Sequence, residues 1–322
     1  MNEEKALTID EVLNNIQKWQ ENDKSITLVT HEGIFHADDV FSTAFLMKVF
    51  NVGRVSRTSD VSTVIPEFDK EAIFNTDMNG KSAIVYDIGR GRFDHHQKDA
   101  ATRPDGYKYC SFGLLWDEFG KKYISDLYGY EHADEIWKKM DKYFIKPIDL
   151  HDNGYELNPL SMIMKRFCPT WEEPQYMKSG FQDAVNVAKM IIDREVAYWH
   201  ANIVGESIVN DAIDTALAGG RNWIILDKYI PYGVIVNHRE DAESIQFAIY
   251  PSTYNTLEVC VGTVEIPGEY GSFRKGIAED LRGLSREELI EHDWTFVHPS
   301  GFLGAALTVD AAIRMIEYST EH

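Results

Sequence analysis

The chain has 322 residues, 44% of them hydrophobic and 26% charged, which is enough apolar content for two folded domains with a large core. Its formal net charge of −20 opposes docking of long duplex DNA or RNA, although bound cations or a few local Arg and Lys can reverse the sign inside one cleft. No stretch approaches the roughly 18 consecutive apolar residues that span a membrane. The first residues have the form of neither a secretory signal nor a transit peptide, and the scattered cysteines Cys110, Cys168 and Cys260 fit a reducing compartment, so a cytoplasmic location is expected.

Helical spacing of Val12, Leu13, Ile16 and Trp19 predicts an amphipathic helix over 9–20. A strand at 25–30 and a helix at 38–50 follow, then strands at 55–57 and 83–86 and helices at 111–122 and 133–144. Strands alternating with helices predict an α/β domain built on a doubly wound, mainly parallel sheet, with ligands at the carboxyl ends of the strands. A long helix over 181–201 closes that domain, placed at residues 1–205, and the Ala- and Gly-rich stretch 216–220 continues the junction. Close-spaced strands at 223–226, 233–236, 245–250 and 257–264, a last strand at 295–297 and a helix at 309–318 predict a smaller α+β domain, residues 206–322.

Four clusters at or near predicted element ends carry metal-binding chemistry. Directly after the first strand, His31 and His36 with Asp38 or Asp39 offer imidazoles and carboxylates in one loop, which Gly33 lets turn tightly. Asp38, and more so Asp39, also reads as a helix N-cap. Asp87 ends an apolar strand, where a carboxylate can bridge two cations. Asp94-His95-His96 follows, with Asp94 suited to orienting an imidazole from behind. The fourth cluster holds Asp149 and Asp152, acids that could bind a cation or merely cap or close the Asn-Gly turn. Nitrogen and oxygen donors together suit Mn, Zn, Fe or Co, whereas carboxylates alone would lean to Mg or Ca.

In order and spacing, His31…Asp38, Asp87, Asp94-His95-His96 and Asp152 resemble the four motifs of the DHH phosphoesterase superfamily. A closer resemblance, to the melanocyte-proliferating-gene-one family, rests on 30–39 (THEGIFHADD), 92–97 (RFDHHQ), 148–154 (IDLHDNG), 281–289 (LRGLSREEL) and 296–304 (FVHPSGFLG). That resemblance implies a dinuclear site. His31, Asp38, His95 and Asp152 would be ligands, Asp87 the bridging and catalytic carboxylate, and His96 a ligand or the residue facing the phosphate. The superfamily places a carboxylate four residues after the first His. Phe35 stands there instead, and His36 is expected to take over as the ligand.

The resemblance also implies that the glycine-rich turn of the second domain holds substrate, through Ser300, Gly301 and Gly304 with His298 beside them. Arg239 and Arg274 are candidate phosphate contacts, with a salt-bridged surface the alternative for each. The expected activity is a metal-dependent phosphodiesterase, a 3′–5′ exonuclease on short RNA or oligonucleotides. Two divalent cations would activate water, Mn foremost, with Mg, Co, Fe or Zn as alternatives. The alternatives are hydrolysis of a small phosphorylated molecule such as pyrophosphate or a cyclic dinucleotide, or a non-catalytic metal-binding protein. No membrane or long-duplex partner is expected, and a homo-oligomer is left open.

Overall fold

The computed structural model describes residues 25–269 and 271–322. The helix expected at 9–20 lies outside the described residues. The chain divides into two compact units, one closing at His200 and the other running Ala201–His322. The fold is α/β, with one sheet in each unit.

In the first unit, β1 (Ile26–His31) is buried along almost its whole length because it lies between two parallel neighbours. These are β2 (Val52–Thr58) and β4 (Ser82–Val85), and the short β3 (Asn75–Thr76) adds an antiparallel edge to give the order β2-β1-β4-β3. The register aligns Val29 with Val85 and His31 with Thr58, and the Tyr86 amide bonds the Val29 carbonyl at 3.0 Å. Thus the carboxyl ends of β1 and β4 finish side by side, which brings the residues after them together. Val29, Ala83 and Val85 pack with Val61, Val64 and Ile65.

Helix α1 (Ala37–Val49) packs with α2 (Ser111–Tyr128) through aromatic side chains. Phe41 stacks on Phe112 at 5.5 Å between ring centres, and Phe45 lies 5.3 Å from Trp116, all four fully buried. Each such ring contributes several kcal/mol through burial, since truncating one to Ala costs about 3–5 kcal/mol. The helix expected at 133–144 is longer and interrupted. α3 (Ala133–Met140) passes through a π-helical segment, Asp141–Ile145, into α4 (Lys146–Asp152). Pro147 in the first turn of α4 has no N–H, so it cannot continue the α-helical ladder of α3. Gly154, at φ +75°, turns the chain out immediately after Asp152 and Asn153. A short α5 (Pro159–Met164) precedes α6 (Met177–Ala218), a 42-residue helix that runs well beyond the expected 181–201 and takes in part of the expected junction.

The second unit carries the sheet β5-β6-β7-β9-β8. Its strands are β5 (Trp223–Ile225), β6 (Phe247–Pro251), β7 (Val259–Thr263), β8 (Trp294–Val297) and β9 (Leu303–Ala306); β5 and β6 are parallel and the other pairs antiparallel. Two expectations are corrected here. Residues 233–236 form the start of a helix, α7 (Gly233–His238), with only Val236 fully buried. Four apolar residues in a row cannot distinguish a buried strand from one turn of helix. The 298–304 segment, expected to lead from the strand at 295–297 to the helix at 309–318, is instead the turn of the β8–β9 hairpin and the start of β9. A short α8 (Arg286–Leu289) precedes β8, and α9 (Val309–Glu321) covers Ala306 and Val261 through Ala312, Met315 and Ile316.

Gly304 lies within β9, and a Cβ there would sit 2.6 Å from Met315 Sδ and 2.9 Å from Ile277 Cδ1. Packing alone therefore requires a glycine at this position. Gly304→Ala should lower stability by about 1–3 kcal/mol through overpacking, read from urea unfolding. An unchanged midpoint would refute that close approach.

Candidate metal centre

Asp87 follows β4 with φ +55°, a left-handed conformation that Asp and Asn tolerate better than other non-glycine residues. Its amide bonds the Phe93 carbonyl at 3.0 Å, which closes the 87–93 loop on itself and sets Asp94-His95-His96 beside the strand end. The buried Asp87 carboxylate then faces two ways. Oδ2 lies 3.3 Å from His31 Nε2, and Oδ1 lies 3.4 Å from His95 Nε2.

Around it the structure assembles three overlapping sets of donor atoms, each within 4.8 Å of one another: His31–Asp39–Asp87, Asp38–His95–Asp152 and Asp87–His95–His96. His95 Nε2 lies 3.5 Å from Asp38 Oδ2 and 3.2 Å from Asp152 Oδ2. Asp38 does not cap its own helix. Its two oxygens accept the Ser111 amide at 3.1 Å and the Phe112 amide at 2.7 Å, at the start of α2, where a carboxylate also complements the helix dipole. Asp94 Oδ1 bonds His96 Nδ1 at 2.7 Å and Oδ2 accepts the Arg90 amide, so it supports the imidazole from behind.

Two residues behave differently from the simplest reading. His36 occupies the N-cap position of α1, is exposed, and has its ring centre 6.3 Å from that of His31; its imidazole is in none of the three donor sets. Asp39 is there instead. Its Oδ1 accepts the His36 amide at 2.8 Å, and Oδ2 lies 3.2 Å from His31 Nε2. An acid in the first turn of a helix ordinarily reads as a cap; what marks Asp39 is complete burial, which only the fold reveals. Asp149 is occupied elsewhere, bonding Arg103 Nε at 2.6 Å and the Cys110 amide at 3.1 Å.

The donor set fits divalent cations. Asp39 Oδ2, Asp87 Oδ1 and His95 Nε2 are all buried and form no hydrogen bond of good geometry, meeting in imidazole–carboxylate approaches of 3.2–3.5 Å, an arrangement that a cation would satisfy. The charges agree. Burial opposes protonation of His31 and His95, yet Asp39 and Asp87 around the first, and Asp38 and Asp87 around the second, push each up to about 11. Burial would raise Asp87, but the same two imidazoles hold it down at about 2. Asp152 rises to about 8 through burial and the neighbouring Asp38 charge.

In the second unit, the remaining candidates are mostly committed to structure. Arg239 pairs with Asp241 at 2.6 Å and Asp214 at 2.7 Å, and Arg274 donates to the Ala242 and Ile245 carbonyls and to Asn237 Oδ1. These guanidinium groups are thus engaged within the unit, as the salt-bridged alternative for each expects. Ser300 stays exposed, its hydroxyl 2.8 Å from His298 Nδ1, and Gly301 makes the hairpin turn at φ +74° under the Arg282 guanidinium.

Fold and donor set together define a metal-dependent hydrolase of the phosphoesterase class. The chain belongs to the MYG1_exonuc family, described as "Uncharacterised protein family (UPF0160)", whose model matches residues 27–320. The human MYG1 exonuclease is 28% identical over 322 residues, covering 89% of this chain and 83% of that protein. The MYG1 protein of Saccharomyces cerevisiae is 24% identical, covering 95% of this chain and 99% of its own. A Thermus thermophilus RecJ structure in complex with Mn2+ aligns with 97% of this chain at 12% identity and a TM-score of 0.25. This chain spans 54% of that one, and so low a similarity does not bear on the fold. Among the described residues, no helix is long and apolar enough to cross a membrane.

Asp149→Ala should cost about 1–3 kcal/mol, because the buried Cys110 amide loses its acceptor and buried Arg103 keeps only its pair with Asp141. Asp152→Ala should leave the metal-free fold within about 1 kcal/mol of the parent yet weaken metal uptake. Urea unfolding in chelator and calorimetric metal titration separate the two effects. Metal uptake must displace the protons that His31 and His95 hold up to about 11 and that Asp152 holds up to about 8. Affinity should therefore rise with pH between about 6 and 9, with release of about three protons per chain at neutral pH, read by titration in buffers of different ionisation enthalpy.

Proposed function

We propose that this protein is a two-metal phosphodiesterase of the DHH type, an exonuclease of 3′–5′ polarity that acts on short RNA or oligonucleotides. The observation that carries this reading is Asp87, which offers one carboxylate oxygen to each of two donor sets. His31, Asp39 and Asp87 would hold one cation, with His36 completing that position by turning its imidazole inward. Asp38, Asp87, His95 and Asp152 would hold the other. Mixed nitrogen and oxygen donors favour Mn among the divalent ions. Cations held by these residues would supply acidified water for attack on phosphorus and would offset charge on the phosphoryl oxygens.

The side chains supply the remaining work. Asp94 holds Nδ1 of the exposed His96, which leaves Nε2 to hydrogen-bond a phosphoryl oxygen or deliver a proton to the leaving group. Burial of Asp38, Asp39 and Asp87 keeps water from competing for their oxygens, so the ligand geometry is set before substrate arrives. In the second unit a cavity of about 940 Å3 is lined by Tyr229, Tyr250, Phe273 and, from the hairpin turn, Phe302. Aromatic walls of this kind suit an unpaired base.

With Arg239 and Arg274 engaged in internal pairs and a net charge of −20, the balance of charge disfavours a long strand and supports substrates of a few nucleotides. The same observation supports a second reading, hydrolysis of pyrophosphate or a cyclic dinucleotide. The proposed location is the cytoplasm.

The test is to assay Mn-loaded protein against two- to five-nucleotide RNA, long RNA, pyrophosphate and cyclic dinucleotides. Short RNA should be the preferred substrate, degraded from its 3′ end; preference for pyrophosphate would overturn the exonuclease reading, and no turnover on any of them would leave a metal-binding protein without catalysis. Asp87→Asn tolerates the same backbone conformation and should reduce both metal uptake and turnover by at least about a hundredfold. Full activity in that variant would refute the bridging role.

A further inference from the structure

Arg57 lies on β2 directly across from the end of β1, with Thr30 paired to Arg57 and His31 to Thr58. Its guanidinium reaches around the strand end. Nε donates to the His31 carbonyl at 3.1 Å and Nη2 to the Gly33 carbonyl at 3.0 Å. The group lies 4.3 Å from the ring centre of Phe181 and 5.5 Å from that of Phe35, and its side chain is only 14% exposed. Between the two clamped residues stands Glu32, whose carbonyl accepts a hydrogen bond from His31 Nδ1 at 3.0 Å. That bond turns His31 Nε2 towards Asp39 and Asp87.

The Glu32 amide bonds the Thr58 carbonyl at 3.1 Å, which fixes the peptide before it. The next peptide is more open: Glu32, Gly33 and Ile34 are exposed, Gly33 sits at φ +84°, and a Cβ on it would meet nothing within 4 Å. Rotation of the Glu32–Gly33 peptide would release the imidazole. The Arg57 fork holds the carbonyls on either side of it. Nη2 also stands 3.6 Å from Asp39 Oδ2, too far for a hydrogen bond but close enough to offset the charge of that buried carboxylate.

We propose that Arg57 is the positioning residue of the His31–Asp39–Asp87 half of the centre: its two-carbonyl clamp orients the imidazole for a divalent cation and leaves the Asp38–His95–Asp152 half untouched. The cation-binding part of this inference rests on the two-metal reading, whereas the clamp on His31 does not. Lysine is the informative replacement, since a point charge on a flexible stem keeps the attraction to Asp39 but cannot fork two carbonyls at fixed angles.

The test uses the full chain with Arg57→Lys and Arg57→Ala, and the lysine variant carries the result alone if the alanine variant does not fold. In metal-free protein with nitrogen-15-labelled histidine, the His31 Nδ1 proton should be protected from exchange in the parent and lose protection in both variants, with the His95 signals unchanged. Titration with Mn2+ should show two uptake steps in the parent, of which one weakens by about 10–100-fold in both variants. A protected Nδ1 proton in the variants would overturn the clamp, and so would equal weakening of both steps. Full recovery of uptake by lysine would overturn it in favour of charge alone. A parent that takes up no second ion would refute the two-metal reading and leave the exchange result to decide the clamp.

Discussion

The site depends on placing several carboxylates out of water within reach of two imidazoles. Buried like charges repel, and in an apolar interior that repulsion is expensive enough to shift protons or unfold the chain. Here Asp87 stands between His31 and His95, one oxygen towards each, and every other acid of the centre is arranged around that axis. The two strands that carry His31 and Asp87 must therefore finish level, which the parallel pairing of β1 with β4 provides. The left-handed residue after β4 bends the chain back so that His95 arrives from the far side.

The supports are distributed unequally between the two halves. The His95 side is built from elements locked into the core. Asp38 is tied to the start of α2, and Asp152 ends a helix whose course is set by a π-helical segment and Pro147. The His31 side is a surface turn held from outside by Arg57, by the Cys168 thiol 3.2 Å from the Phe35 carbonyl, and by the edge-on contact of Phe35 with Phe181. Sequence-distant segments converge on that one turn, a design suited to a part that must be accurate without being buried.

Much of the first sheet was legible because its strands are apolar runs ending in chemically distinctive residues, and periodicity with composition locates such runs. His31, Asp38, Asp87, His95 and Asp152 stand out as residue types at strand and helix ends. Asp39 did not, since an acid in a first helical turn is commonplace and its burial is decided by β1 and β4, elements outside its own helix. Arg57 was invisible for a related reason: its partners are main-chain carbonyls, which carry no residue identity. In the second unit, 233–236 read as a strand because four apolar residues hold too little periodic information. The 298–304 turn looked like a strand-to-helix junction because β9, made of Leu303, Gly304, Ala305 and Ala306, has no β-branched residue to announce itself.

Asp38 has a further consequence. Its carboxylate faces the metal centre with the same oxygens that hold the first amides of α2, and the next turn of that helix carries Phe112 and Trp116 into the aromatic packing. On the proposed two-metal reading, the ligand shell and the hydrophobic core would be one mechanical body at this point. A cation of the wrong radius would not be met by a small swing of Asp38, because the swing would unseat a helix end and the rings behind it. Selection among ions would then rest on stiffness borrowed from the core, which oxygen and nitrogen donors on a free loop could not supply.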